Sequence, residues 1–172
     1  MSTFWSKRRT TGKDRQVKKH YTQMSLQEKK KCVNLLQDTI NTHKYLELSS
    51  RGKFIFFINI KVYIPIPTTS FVNCKTKLKN KINFSNLVRF IFKDRNAPFN
   101  IIEYNITDFH GKEQRRIIFK SPTIVTIEGV SSYQYLVINL EDGTIITTYY
   151  NGITDTHKTL DLKYYNKNLT IK

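Results

Sequence analysis

The hydrophobic pattern of this chain takes a helical period in one place and a strand period over most of the rest. Cys32, Val33, Leu35, Leu36 and Ile40 fall on one face of a helix. Just before them, Ser25-Leu26-Gln27-Glu28 forms a capping box, in which the Ser hydroxyl and the Glu carboxylate satisfy orphan backbone N–H groups. The pattern predicts a short amphipathic helix over 25–43, with Lys29, Lys30 and Lys31 in its first turns. From Lys53 the period becomes two. Ile58, Ile60, Val62, Ile64 and Ile66 alternate with Asn59, Lys61, Tyr63 and Pro65, which predicts one long strand with Pro65 and Pro67 at its exit or on an edge. Residues 82–93 fit a helix or a strand on pattern, and the alternation of Val88, Phe90 and Phe92 with Arg89 and Ile91 favours a strand.

Beyond Pro98, β-type runs at 101–107, 115–120, 123–128, 135–141, 144–150, 158–164 and 168–171 lie between turn signals. Asp142-Gly143 predicts a tight type I′ hairpin, because that dipeptide tolerates positive φ, and Asn151-Gly152 closes the next strand with the same chemistry. About nine strands with no helix after the first is the pattern of a sandwich or jelly roll. The expectation is a mainly β chain: one jelly-roll β-sandwich over 44–172, preceded by a helix over 25–43 and an arm over 1–24. The arm has no apolar periodicity in its first twenty residues and a Thr10-Thr11-Gly12 break, so order is expected to begin near Ser25 and disorder before it.

Charge gives that arm a purpose. The 172 residues carry a formal net charge of +16, and it is front-loaded: +8 in residues 1–31, +9 in 32–120 and −1 in 121–172. Lys7, Arg8, Arg9, Lys13, Arg15, Lys18, Lys19, Lys29, Lys30 and Lys31 are the candidate nucleic-acid-binding residues, opposed in the same segment by Asp14 and Glu28 alone. Lys/Arg side chains that neutralise phosphates release condensed counterions and supply affinity without sequence preference. Neutralising about seven phosphates of a single strand should give a log–log salt slope near −5, at roughly −0.7 per contact. Removing 2–20 is expected to take most of that slope away and to leave the β body folded. Lys75, Lys77, Lys79 and Lys81 would project from one side of an extended chain, either toward nucleic acid or as guards of a strand edge.

The two cysteines, Cys32 and Cys74, lack metal-type spacing and read as buried or incidental thiols in a reducing compartment. His20, His43, His110 and His157 are scattered, so no metal site, cofactor or catalytic residue is expected. Ser2 to Lys19 is too polar for a signal peptide, and no apolar run reaches the length of a membrane span. The chain is expected to act inside a cell, or to leave one without secretion.

Several segments resemble, in the same order, the coat proteins of small satellite viruses of the satellite tobacco necrosis virus kind. They are Ile40-Asn41-Thr42-His43 after the basic helix, Val88-Arg89-Phe90-Ile91-Phe92-Lys93-Asp94, Lys112-Glu113-Gln114-Arg115-Arg116-Ile117-Ile118-Phe119-Lys120, and the pair running from Val137-Ile138-Asn139-Leu140 to Tyr149-Tyr150-Asn151-Gly152. About a third of the chain is touched, and the matches are strand residues more than chemical motifs. The resemblance implies a non-enzymatic capsid subunit that self-assembles into a small T=1 icosahedral shell. Its arm and first helix would hold single-stranded nucleic acid, RNA by the resemblance, in a virion assembled in host cytoplasm without a membrane. This chain is shorter than the satellite coat, and Asn168-Leu169-Thr170-Ile171-Lys172 lacks that family's acidic ending. Related shells bind calcium between subunits, but no residue here matches those carboxylates.

Two other readings fit the charge. One is a metal-independent ribonuclease of the barnase–EndoU–colicin–RelE type, suggested by Gly143-Thr144-Ile145-Ile146-Thr147. His110 or His157 would act as general base, Arg115 or Arg116 would stabilise the phosphorane, and Thr147 would hold the phosphate. The other is a non-viral ribosomal or accessory nucleic-acid-binding protein.

Overall fold

A mainly β architecture forms, as the alternating pattern requires. The computed structural model describes residues 16–43, 45–48, 54–57, 63–65, 89–109, 111–157 and 162–172. Strand β1 (Gln16–His20) leads through a 3-10 turn at Tyr21–Gln23 into helix α1 (Leu26–His43). Then come β2 (Tyr45–Leu48), β3 (Phe54–Phe57), β4 (Tyr63–Pro65), β5 (Ile101–Phe109), β6 (Lys112–Ile127), β7 (Val130–Asn139) and β8 (Thr144–Gly152). Among the described residues these make one 8-stranded sheet in the order β1-β5-β6-β7-β8-β2-β3-β4. Neighbours are antiparallel except β2 and β8, which run parallel.

Helix α1 forms where the pattern places it. The amide of Ser25 donates to Glu28 Oε2 at 2.8 Å and that of Glu28 to Ser25 Oγ at 3.2 Å, closing the capping box. Cys32, Val33, Leu36 and Ile40 are buried against Ile101, Tyr104, Ile117, Phe119, Leu136, Ile138 and Ile145 of the sheet. Thr39 Oγ1 ties the helix to Leu140 O at 3.2 Å, and Gln37 Nε2 ties it to Ile91 O at 2.9 Å. Burial pushes the Cys32 thiol up to about 12, so this cysteine is an inert core residue, as its isolation in sequence suggests. Cys74 lies outside the described residues.

Five expectations need correction. Order begins by Gln16 rather than near Ser25, because 16–20 pair residue for residue with 103–107 of β5. The single strand expected over 53–66 is two short strands: Phe54 pairs with Pro65 and Phe56 with Tyr63, so the chain reverses between them, and β4 with Pro65 takes the sheet edge. Residues 89–93 are helical, not extended, and place Ile91 under α1; the alternation of Phe90 and Phe92 does not separate the two states over so short a run. The runs at 115–120 and 123–128 join into β6 across an irregularity between Lys120 and Ile124. Near the C-terminus, Leu162–Tyr164 is a 3-10 turn and 168–171 carries no strand; Ile171 is buried in the core.

Turn chemistry accounts for the hairpins. Asp142-Gly143 does sit between β7 and β8, but in a four-residue connection where only Gly143 has positive φ (73°). The two-residue turn with positive φ at both positions is Glu128 (49°) and Gly129 (78°), between β6 and β7. A Cβ on Gly143 would also stand 3.3 Å from His43 Cδ2 at the end of α1. Gly143→Ala should therefore cost about 1–2 kcal/mol, the usual cost of left-handed backbone for an L-residue. Thermal melting should show a lower Tm, with the spectrum of the folded state unchanged.

Candidate nucleic-acid interface

Sheet alternation separates the basic residues by face. On β1, Lys18 and Lys19 must point to opposite sides of the sheet. Lys19 turns toward the helix and is only 4% exposed; its ammonium donates to Glu28 Oε1 at 2.5 Å and to Leu169 O at 3.2 Å. Lys19 is therefore a structural cation and leaves the expected phosphate-binding set. Lys18 is half-buried on the other face, opposite Asn105, and its carbonyl accepts from the Asn166 amide at 2.8 Å, so the C-terminal segment covers the outer side of β1.

In the first turns of α1, Lys30 and Lys31 are exposed. Lys29 is half-buried, with its ammonium 5.8 Å from the Tyr21 ring centre and 6.0 Å from that of Phe99. The helix thus has a core-packing face and a charged face held to solvent. Lys7, Arg8, Arg9, Lys13, Arg15 and the row Lys75, Lys77, Lys79, Lys81 lie outside the described residues.

The face of the sheet away from α1 is polar and aromatic. In register across β1, β5, β6 and β7 runs the row Lys18, Asn105, Arg116, Asn139, followed by His20, Glu103, Ile118, Val137. Tyr135 and Tyr149 stack at 5.3 Å between centroids with planes 3° apart, and the His157 ring lies on both. Tyr149 Oη hydrogen-bonds His157 Nε2, and burial holds that phenol well above its ordinary pKa. His20 Nε2 stands 3.2 and 3.1 Å from the carbonyls of Thr156 and His157, which can only accept, so Nε2 carries a proton. Its Nδ1 lies 3.4 Å from the Thr22 amide and accepts from it. His20 therefore pins the segment carrying His157 to β1. Beside this cluster, Lys120 stands 4.5 Å over the Tyr133 ring, with its pKa lowered by burial.

The two consecutive arginines named for the ribonuclease reading are not brought together. Arg115 is on the helix side, with Nε 2.6 Å from Glu141 Oε1 and Nη1 donating to Lys172 O at 2.8 Å. Arg116 is on the far face, where Nη2 donates to Gln114 Oε1 at 2.9 Å and Nε is buried without a hydrogen-bond partner. His110 lies outside the described residues; Thr147 is described by its backbone register alone, opposite Val137. Sequence reading passed over the row around Arg116, although two adjacent strand residues must face opposite ways and only one could share Glu141.

Exposed apolar side chains mark one end of the sheet, where β6 and β7 reach their turn: Ile124, Val130 and Ile153. Ile153 is fastened there by its amide to Ser131 O at 3.0 Å. Among the described residues no group of three or more His, Cys, Asp or Glu is placed to hold a metal, and no helix is long and apolar enough to cross a membrane. No protein-family model, curated protein or solved structure matches the chain.

Proposed function

We propose that this chain is a coat protein of the small-satellite-virus kind, which self-assembles into a small icosahedral shell and packages single-stranded nucleic acid, RNA by its resemblance, through its basic N-terminal arm. The observation that carries the reading is the front-loaded charge: +8 within residues 1–31, continuing into a helix whose buried face is anchored on the sheet while Lys30 and Lys31 stay in solvent. Such a block needs a polyanion. Ile124, Val130 and Ile153 support the assembly part, since apolar side chains grouped at one end of a sheet favour burial against another subunit. A jelly roll needs two sheets packed face to face, and that part rests on the resemblance.

A ribosomal or accessory nucleic-acid-binding module is the second reading. It is favoured by the single sheet of the described residues, covered by one helix on one side and carrying Lys18, Arg116, Lys120 and tyrosines on the other. Negative-stain microscopy of the expressed full chain separates the two. Uniform closed particles protecting RNA from added nuclease support the coat protein; a monodisperse monomer that binds RNA without particles supports the module, and RNA cleavage overturns both. In the coat case, Ile124→Lys with Val130→Lys should abolish particles while changing subunit stability by under about 1 kcal/mol, since exposed substitutions seldom cost more.

Deleting 2–15, which removes Lys7, Arg8, Arg9, Lys13 and Arg15, should reduce the salt slope of RNA binding by about 3.5, at roughly 0.7 per phosphate. Filter binding at several salt concentrations measures it. An unchanged slope would move the contact surface off the arm.

A further inference from the structure

Strand β6 outruns its neighbour. Of its 16 residues, 112–119 pair with β5, whose first residue Ile101 stands opposite Phe119. The remainder runs on with β7 alone, pairing Ile124 with Tyr133, Val125 with Ser132, Thr126 with Ser131 and Ile127 with Val130. Among the described residues no strand lies along the other side of 121–127, and Pro122, Thr123, Ile124 and Thr126 are exposed there. This overhang is an open sheet edge.

The turn fixes which main-chain groups point outward. A two-residue turn is closed by a hydrogen-bonded pair, here Ile127 and Val130 around Glu128 and Gly129. Hydrogen-bonded and open pairs alternate along an antiparallel ladder, so the N–H and C=O of Val125 and Ile127 face β7 while those of Ile124 and Thr126 face outward. Ser131, opposite Thr126, shows the same alternation on β7: its carbonyl turns away from β6 and accepts from the Ile153 amide at 3.0 Å. The Thr123 N–H is taken by Ser121 Oγ at 3.2 Å and Pro122 has none, which leaves Ile124 and Thr126 as the donors of this edge.

Sequence and charge select the occupant. Thr123-Ile124-Val125-Thr126-Ile127 is an unbroken run of β-branched residues, the type that fits an extended chain best. Natural edges are kept apart by proline and by charges. Pro122 blunts the start of this one, but no charge falls within 123–127, and Glu128 is the one charged side chain from 121 to 139. Lys120, at the root of the overhang, is drawn over the Tyr133 ring. The positive charge of the chain lies ahead of residue 121, and 121–172 sum to −1 from four basic and five acidic side chains, so two copies can meet here with their basic fronts elsewhere. A polyanion finds no cation on the segment. A two-fold axis across it sets two identical edges antiparallel, so the outward N–H groups of each meet the outward C=O groups of the other.

We propose that 123–127 of β6 is a self-association edge, through which two copies of this chain join their sheets by main-chain hydrogen bonds from Ile124 and Thr126. The proposal rests on the assembly part of the coat-protein reading and names the bonding that joins one subunit to the next.

Hydrogen exchange on the wild-type full chain tests it, read at the Ile124 and Thr126 amides over a range of protein concentration, with and without a single-stranded RNA homopolymer, beside the mass by sedimentation. Both amides should exchange freely in dilute monomer and slow as the mass doubles or particles form, by about tenfold when about nine-tenths of the chains are paired. Thr126→Pro, which removes an outward donor and no bond to β7, should abolish the association. Thr126→Val, which keeps the donor and the branched shape, should retain it.

Association with both amides still exchanging freely would overturn the edge and leave the coat reading standing. Doubled mass with slowed amides but no closed particles, with or without RNA, would support the edge and overturn the coat reading. Full protection in dilute monomer would overturn the proposal by showing that a segment of the same chain covers the edge. A monomer at every concentration, with RNA present, would overturn both. The wild-type exchange carries the decision even if Thr126→Pro fails to fold.

Discussion

Deleting residues 2–20 will lower the melting temperature by about 6 °C or more, whereas deleting 2–15 will leave it nearly unchanged. The difference is strand β1. Its five residues pair along β5, and two of them, Lys19 and His20, are buried. Without β1, one side of β5 loses its ladder, and the carbonyls of Thr156, His157 and Leu169 lose the side-chain donors that hold them. The Asn166 amide loses the Lys18 carbonyl as well. Buried polar groups left without partners cost about 1–3 kcal/mol each. Even two such losses, at about 2–4 °C per kcal/mol for a chain of this size, make the drop large. Circular-dichroism melts of the two deletions check it. Equal melting temperatures would mean that β1 adds nothing to the body, as the charge pattern alone suggests. The outcome also decides how the arm should be assayed, because weakened RNA binding in the longer deletion would mix lost charge with lost fold.

Glu28→Gln should destabilise the protein by about 3 kcal/mol at neutral pH, the low end of the cost of leaving one charge of a buried pair uncompensated. Gln can still accept the Ser25 amide as a capping-box residue, so the variant removes charge and little else. The charge it abandons is the Lys19 ammonium, while Glu28 itself keeps 30% of its side-chain surface. Burial alone would raise the Glu28 pKa, but the bonds from Lys19 and Ser25 outweigh it, and the carboxyl titrates below its ordinary 4.5. For a lowered carboxyl, the stabilisation is present above the unfolded value and fades as pH falls through the folded one. Wild type should therefore lose its advantage over Glu28→Gln below about pH 4.5, and the two denaturation curves should converge in acid. Adding Lys19→Met to Glu28→Gln should restore much of the loss, because removing both charges leaves neither uncompensated. A double variant no more stable than the single one would place the cost in the cap instead of the ion pair.

Signals that act within a few residues were legible from the order of amino acids. The capping box at Ser25 to Glu28, the apolar face of α1, the strand character of 101–150 and the reversal at Asp142-Gly143 depend on side chains one to four positions apart, and each formed. Where a local signal was ambiguous, the reading slipped: 89–93 has both a strand-like and a helix-like apolar pattern, and packing of Ile91 against α1 accompanies the helix. The candidate site was half legible. Ten basic residues could be counted, but not sorted.

The basic front, the amphipathic helix α1 and the mainly β body follow from composition and periodicity, because charge and amphipathic pattern belong to the chain before it folds. Pairing across distance does not. Residues 16–20 have too little apolar content to announce a strand, and they become one because β5, nearly ninety positions later, offers an unpaired edge. That pairing sends Lys19 inward to Glu28 and Lys18 outward, and the β6 ladder does the same to Arg115 and Arg116. Adjacent basic residues are equivalent in a sequence, and which of them can meet a phosphate depends on the face each receives when strands from distant parts of the chain are brought into register.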